Sequence, residues 1–290
     1  MFEHLPIMPQ EIRTLLAIQA GSVVVDATAG GGGHLRILAE AVGPSGRVIA
    51  LDQDPRAHEL DAAGGVAQEY PQVRLYQNRF SELAHVLKAE KIHSVDGLLC
   101  DLGVSSPQLD TPERGFSFRQ DGPIDMRMNP HSGISAYDLI AESSESELAD
   151  IIYQYGEERF SRRIARSIKN QKSLPNSTLA LANRIAQAIR GPRSRIHPAT
   201  RTFQALRIAV NQELKELDTL LLDLESLTHP GSRIAFLSFH SLEDRRIKQH
   251  LRNQPHCWRA LTKKPVTASE TEMHQNPRAQ SAKLRIGERI

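Results

Sequence analysis

Nine consecutive residues, Asp26-Ala27-Thr28-Ala29-Gly30-Gly31-Gly32-Gly33-His34, place a carboxylate, a glycine run and a histidine within one turn. Glycines let a backbone approach a ligand that any Cβ would hold off. Four in a row are costly in chain entropy if the turn is purely structural. Two cofactor classes use a glycine turn of this kind. Dinucleotides need G-x-G-x-x-G, so that a pyrophosphate can sit at a helix N-terminus. Gly30 and Gly32 fill the first two positions, but the third falls on Leu35, and moving the register by one puts it on Arg36. The fingerprint fails in both registers. S-adenosylmethionine has no phosphate; it offers an ammonium, two ribose hydroxyls and a cationic sulfonium. Asp26 suits the ammonium, Gly30 and its neighbours suit the tail and ribose, and Asp52 suits the hydroxyls. The turn is therefore expected to hold S-adenosylmethionine, and the chain to transfer methyl groups.

A second run, Asp101-Leu102-Gly103-Val104-Ser105-Ser106-Pro107-Gln108, begins where an acceptor would meet the sulfonium. Enzymes that methylate exocyclic amines of bases often carry here a short polar residue, two prolines and an aromatic. This chain keeps Ser106-Pro107 and continues with Gln108-Leu109. Phe80 could stack on adenine or simply open a helix as a core residue. Phe116 and Phe118 could stack on an extruded base or plug the core of an insert. His197 and His240 lack zinc-motif spacing, and no acid–histidine–serine geometry follows from sequence. No metal is expected.

These residues need a scaffold, and the first hundred positions supply one. Strand patterns at 22–26, 47–52, 73–76 and 95–101 alternate with helical patterns at 34–42, 55–69 and 80–89, the last with Ser81 as a plausible cap. Such alternation means βαβ units and a parallel sheet, with right-handed crossovers bringing every strand's C-terminal end to one edge. Asp26, Asp52 and Asp101 all fall at such ends, where ligands of open α/β sheets bind. After Asp101 the pattern breaks. Residues 105–133 read as a long loop, 135–190 as helical and 191–200 as another loop. Phe203, Leu206, Val210, Leu214, Leu217, Leu221 and Leu224 read as one long amphipathic helix. Residues 233–238 restore a strand, 242–251 a helix, and 282–286 an edge strand; 254–280 stay unassigned. The organisation expected is one α/β domain, 1–108 with 206–290, interrupted after strand four by a smaller helical substrate-recognition domain, 109–205.

Composition narrows the class. At 40% hydrophobic and 24% charged residues, the chain is expected to be globular, not disordered. No run of about 18 apolar residues suggests a membrane span, and the N-terminus lacks the layout of a signal peptide. Cys100 and Cys257 cannot make a disulfide framework or a four-cysteine site, which suits a reducing cytoplasm. The net charge of +2 is unevenly spread. Residues 134–158 carry seven Asp or Glu and no Lys or Arg, whereas 159–207 carry twelve Lys or Arg and no acid. Such a block is either a solvated helical face or the footprint of a polyanionic partner.

Several further runs carry a specific resemblance. They are Arg114-Gly115-Phe116-Ser117-Phe118, Asp121 to Met128, Tyr155 to Phe160, His197 to Ala205 and Ser238 to Arg245, besides the two runs above. With them the chain resembles the small-subunit ribosomal RNA methyltransferase H family, which methylates N4 of a cytidine in the decoding region of 16S rRNA. The resemblance implies a Rossmann-like class I methyltransferase fold with a helical insert. It also implies S-adenosylmethionine contacts at Gly32, Gly33, His34, Asp52, Phe80, Asp101 and Gln108. It makes 16S rRNA in the small subunit the expected partner, with Arg159, Arg162, Arg163, Arg166, Arg193, Arg195 and Arg201 holding phosphates. Asp101, Ser105 and Ser106 are the candidates, by position, to accept from the reacting amine. Two other readings stay open: a non-catalytic assembly factor that binds RNA, and a DNA amino-methyltransferase. A homodimer also stays open, and the stretch 252–276 matches less clearly.

Overall fold

The computed structural model describes residues 6–170, 173–189 and 197–290. Helix α1 (Pro9–Leu16) precedes strand β1 (Val23–Asp26), and α2 (Gly33–Val42) leaves the glycine turn. The alternation continues through β2 (Arg47–Leu51), α3 (Ala63–Glu69), β3 (Val73–Tyr76), α4 (Leu83–Ala89) and β4 (Val95–Asp101). Helices follow: α5 (Ser106–Asp110), α6 (Ala136–Glu142), α7 (Glu145–Gly156), α8 (Ser161–Lys169), α9 (Thr178–Ala188), α10 (Thr200–Asn211) and α11 (Glu213–Leu227). The chain finishes with β5 (Thr228–Ser238), α12 (Ser241–Asn253), β6 (Trp258–Ala260), α13 (Glu270–Gln275) and β7 (Lys283–Arg289). The strands form one seven-stranded sheet, β3-β2-β1-β4-β5-β7-β6. The first five are parallel to their neighbours, and β7 runs antiparallel to both β5 and β6. This is the Rossmann-like class I methyltransferase arrangement that the resemblance implies.

Both faces of the sheet are covered, so its central strands carry buried apolar residues on both sides. Side chains alternate between two cores. Val24, Leu99, Ala235 and Leu237 pack on one side with Ile12 of α1 and Leu35 and Leu38 of α2. Val25, Leu98, Cys100, Ile234 and Phe236 pack on the other with Leu87, Leu217, Leu224 and Ile247. Cys100 and Cys257 are buried free thiols. Among the described residues no helix is long and apolar enough to cross a membrane.

The chain divides into two compact units, Met1–Gly103 with Leu214–Ile290, and Val104–Glu213. The second has its own core, including Met126, Ile140, Leu148, Ile152, Ile164, Ile168, Leu181, Ile185 and Leu206. The limits expected for the insert, 109 and 205, fall inside this unit.

Several elements differ from the sequence reading. The helix expected at 55–69 is a 3-10 turn at Pro55–His58 followed by α3. A Cβ on Gly64 would lie 2.2 Å from the His58 carbonyl, so the chain crosses itself there. The helix expected from 203 to 224 is two, because Gln212 adopts φ +53°. Asn211 beside it is drawn inward, accepting from the Met128 N–H at 2.7 Å and donating to the Met126 carbonyl at 2.8 Å. The apolar spacing runs on through that break, which hides it. The loop at 105–133 contains α5, β5 starts at Thr228, and β7 is an interior strand with β6 at the edge. The helix expected at 80–89 opens as a 3-10 turn at whose start Glu82 Oε2 accepts from the Arg79 N–H at 2.9 Å, while the Ser81 hydroxyl bonds Glu216 instead of capping.

Candidate functional site

The ends of β1, β2 and β4 adjoin, as their parallel pairing requires. Gly30 (φ +46°) and Gly32 (φ +84°) turn the chain through left-handed backbone between β1 and α2. A Cβ on Gly32 would stand 2.9 Å from Val66 Cγ2 and 3.1 Å from Ala63 Cα, so this glycine also admits α3. Helix α2 begins at Gly33, and the first N–H groups of a helix have no partner within it. Gly33 and His34 therefore present donors at the turn.

Three carboxylates brace the turn. Asp52 follows β2 and accepts from the Gly30 N–H and the Asp54 N–H, each at 2.8 Å. Asp26 is wholly buried, its Oδ1 accepting from the Thr28 N–H at 3.1 Å and its Oδ2 without a hydrogen-bond partner. Burial pushes its carboxyl up to about 7, partly offset by His34 and the Thr28 N–H. Asp26 was expected to present its carboxylate to an ammonium. In this structure it lies beneath the turn with no exposed surface and holds the turn from below. Asp101 ends β4 with its side chain 26% exposed, Oδ2 3.4 Å from His34 Nδ1 and Oδ1 unpartnered. On the opposite side of the ring, His34 Nε2 lies 2.9 Å from the Ile7 carbonyl. Burial lowers the pKa of His34, but the hydrogen bond and charge of Asp101, the charge of Asp26 and the Ile7 carbonyl together outweigh it, and the net shift is upward. Phe80 is half-buried and packs against the core between the sheet and α4.

Two contributors were not singled out from sequence. Thr28 Oγ1 accepts the Asp101 N–H at 2.7 Å, tying the end of β1 to the end of β4. The Ile7 carbonyl anchors His34 from ahead of α1. The threonine stood within the turn but carried no sign of which strand it would meet. His240 stands at the N-terminal end of α12 and pairs with the buried Glu243 at 3.1 Å.

The second unit holds the remaining candidates. Ser105 is the N-cap of α5: its Oγ accepts from the Gln108 N–H at 3.4 Å, and Gln108 Oε1 accepts from the Ser105 N–H at 3.0 Å. This reciprocal capping box fixes both side chains and leaves the Ser105 hydroxyl hydrogen free to reorient. Ser106 opens the helix. Phe116, expected either to stack on a base or to fill the core, is core, 7% exposed. Phe118 is half-buried, its ring centroid 4.7 Å from His197 and from Phe203. Arg159 is exposed with its guanidinium 4.6 Å over the Phe160 ring, and Arg201 donates to the Glu157 carbonyl at 3.1 Å. Arg162 and Arg163 project from α8 opposite its buried Ile164, Ala165 and Ile168, and Arg166 pairs with Glu145 at 3.2 Å. Arg193 and Arg195 lie outside the described residues.

Comparison with known proteins gives a consistent picture. The model of the MraW methylase family matches residues 1–290. The chain is 50% identical, over 292 aligned positions, to ribosomal RNA small subunit methyltransferase H of Trichormus variabilis, covering 99% of this chain and 92% of that protein. It is 48% identical to the protein of that name from Methylobacterium nodulans, covering 99% and 90%. The Thiobacillus denitrificans protein of that name is 45% identical, covering 99% and 97%.

Proposed function

The chain belongs to the MraW methylase family, and from that premise we propose that it transfers a methyl group from S-adenosylmethionine to N4 of a cytidine in the decoding region of 16S rRNA. The reading rests above all on the turn at the strand ends. There the partly exposed Asp101 carboxylate, two left-handed glycines and the first N–H groups of α2 gather at one edge of the sheet. Those groups fit an amino-acid tail: the carboxylate suits an ammonium, the N–H groups a carboxylate. Asp52, at the end of β2 beside the turn, would hold the ribose hydroxyls, with Phe80 against adenine.

S-adenosylmethionine supplies, when bound, a methyl on sulfur that is open to in-line displacement. The protein's share is alignment, which can account for a large part of the rate. Cytosine N4 is a poor nucleophile because its lone pair is conjugated into the ring. Acceptors placed at its two hydrogens favour a pyramidal nitrogen, a role we assign to Ser105 and Ser106, Asp101 being engaged with the cofactor. Gln108, buried beneath the cap, holds Ser105 in place and is assigned to the cofactor. The base must be unpaired or extruded, and Phe118 offers the ring to receive it. Arg159, Arg163, Arg195 and Arg201 are assigned to RNA phosphates, in the cytoplasm where small subunits are assembled. The test is methyl transfer to small subunits purified from cells lacking the gene, followed by mass-spectrometric mapping. N4-methylcytidine at one decoding-region site is expected. Methylation elsewhere, or none, rejects the substrate.

A further inference from the structure

His34 stands between two acceptors. A carbonyl oxygen only accepts hydrogen bonds, so the Ile7 carbonyl at 2.9 Å fixes a proton on Nε2. Nδ1 then faces Asp101 Oδ2 at 3.4 Å. A bare lone pair there would repel the carboxylate, and the ring is too buried for water to relieve it. One further proton must lie between the two groups. With acceptors at both ring nitrogens and the charges of Asp101 and Asp26 beside it, the ring takes that proton, its pKa shifted upward in spite of burial.

We propose that His34 is a positioning residue: a doubly protonated imidazole, hung from the Ile7 carbonyl, that holds the Asp101 carboxylate in place at the end of β4 for the ligand. The proposal rests on the reading above only for the identity of that ligand.

The groups facing His34 permit the charge. They are Asp26 on β1, Asp101 on β4 and the Ile7 carbonyl ahead of α1, with Asp52 beyond Asp26 and the Cys100 thiol held neutral by burial. With Asp52 and Asp101 as carboxylates and His34 as a cation, the cluster is net negative whether or not Asp26 keeps its proton. A cationic cofactor still meets an attractive field.

The test uses the full chain with isotope-labelled histidine and no cofactor, the His34 signals being assigned by their loss in His34→Gln. Nuclear magnetic resonance should find both His34 nitrogens protonated near pH 7, with titration above the ordinary 6.5. A bare ring nitrogen near pH 7 overturns the proposal. In Asp101→Asn the midpoint should fall, and an unchanged midpoint overturns it too. His34→Gln keeps a donor for the Ile7 carbonyl but brings no charge. Calorimetry with S-adenosylhomocysteine should show affinity lower by about tenfold with unchanged circular dichroism, and wild-type affinity would refute the positioning role. An imidazolium in a wild-type chain that does not bind S-adenosylhomocysteine leaves the pairing standing and sinks the cofactor reading.

Discussion

Asp26 shows how a single residue can carry a cost that its surroundings relieve only in part. Its carboxyl loses a proton near 3.8 in an unfolded chain and near 7 in the fold. Between those values the folded state holds the extra proton, so stability falls as pH rises, and above about 7 the whole cost stands. For a wholly buried acid this is on the order of a few kcal/mol. Asp26→Asn keeps the acceptor for the Thr28 N–H and removes the charge. It should melt at a higher temperature than the parent near pH 8, with the gap closing toward pH 4. Thermal denaturation across that range checks it, and a gap that widens on acidification would refute it. Asp52 and Asp101 make the complementary case. Asp52→Ala strips the acceptor from two backbone N–H groups, and Asp101→Ala removes the unpartnered oxygen. Each should weaken S-adenosylhomocysteine binding at least about tenfold by calorimetry, since charge-assisted bonds are worth more than that factor. Unchanged affinity in either would remove that residue from the site. The types and spacing of Asp26, Asp52 and Asp101 were legible because carboxylates at strand ends are rare without a role. Thr28 and the Ile7 carbonyl were not, because their parts depend on which strand ends become neighbours.

At the scale of elements, the sequence spoke through period and punctuation. Strands β1 to β4 were legible because each is a short apolar run bounded by turn residues, and parallel pairing followed from the intervening helices. What it concealed were breaks that leave the period intact. Gln212 ends α10 in a left-handed conformation that no glycine announces, and β7 looked like an edge strand because β6 is only three residues long. Helix α8 was legible as part of a basic block, but the structure sorts that block. Ile164, Ala165 and Ile168 face inward while Arg162 and Arg163 face solvent. Arg166 is engaged by Glu145 and Arg201 by a backbone carbonyl. If α8 holds RNA phosphates, Arg162→Gln with Arg163→Gln should weaken binding to small-subunit RNA. The logarithmic dependence of affinity on salt should become shallower by about 1.4 to 1.8, the value for two lost phosphate contacts. S-adenosylhomocysteine binding should not change. Filter binding at several salt concentrations measures the slope, and an unaltered slope would return α8 to a solvated face.

At the scale of the whole molecule, the sheet is assembled from both ends of the chain. Strand β4 ends at Asp101 and pairs with β5, which begins only at Thr228, and the segment between includes an entire unit with its own core. Pairing β4 with β5 must therefore close a loop of more than a hundred residues, whereas α6 to α9 are helices joined by short connections. Loop closure has to be met before distant strand contacts repay it, and local helical contacts form faster. The helical unit should accordingly gain amide protection before β4 and β5 when the chain refolds. The candidate site lies on the late side of that order, because Asp101 stands opposite Leu237 in the β4–β5 register and Leu102 donates to the Leu237 carbonyl at 3.0 Å. Competence to bind S-adenosylhomocysteine should then appear together with protection of β5. Pulsed hydrogen exchange during refolding, run beside stopped-flow ligand binding, compares the two directly. Ligand binding that precedes β5 protection would mean that the glycine turn and β1 suffice for the cofactor, and that Asp101 enters the site only for the acceptor.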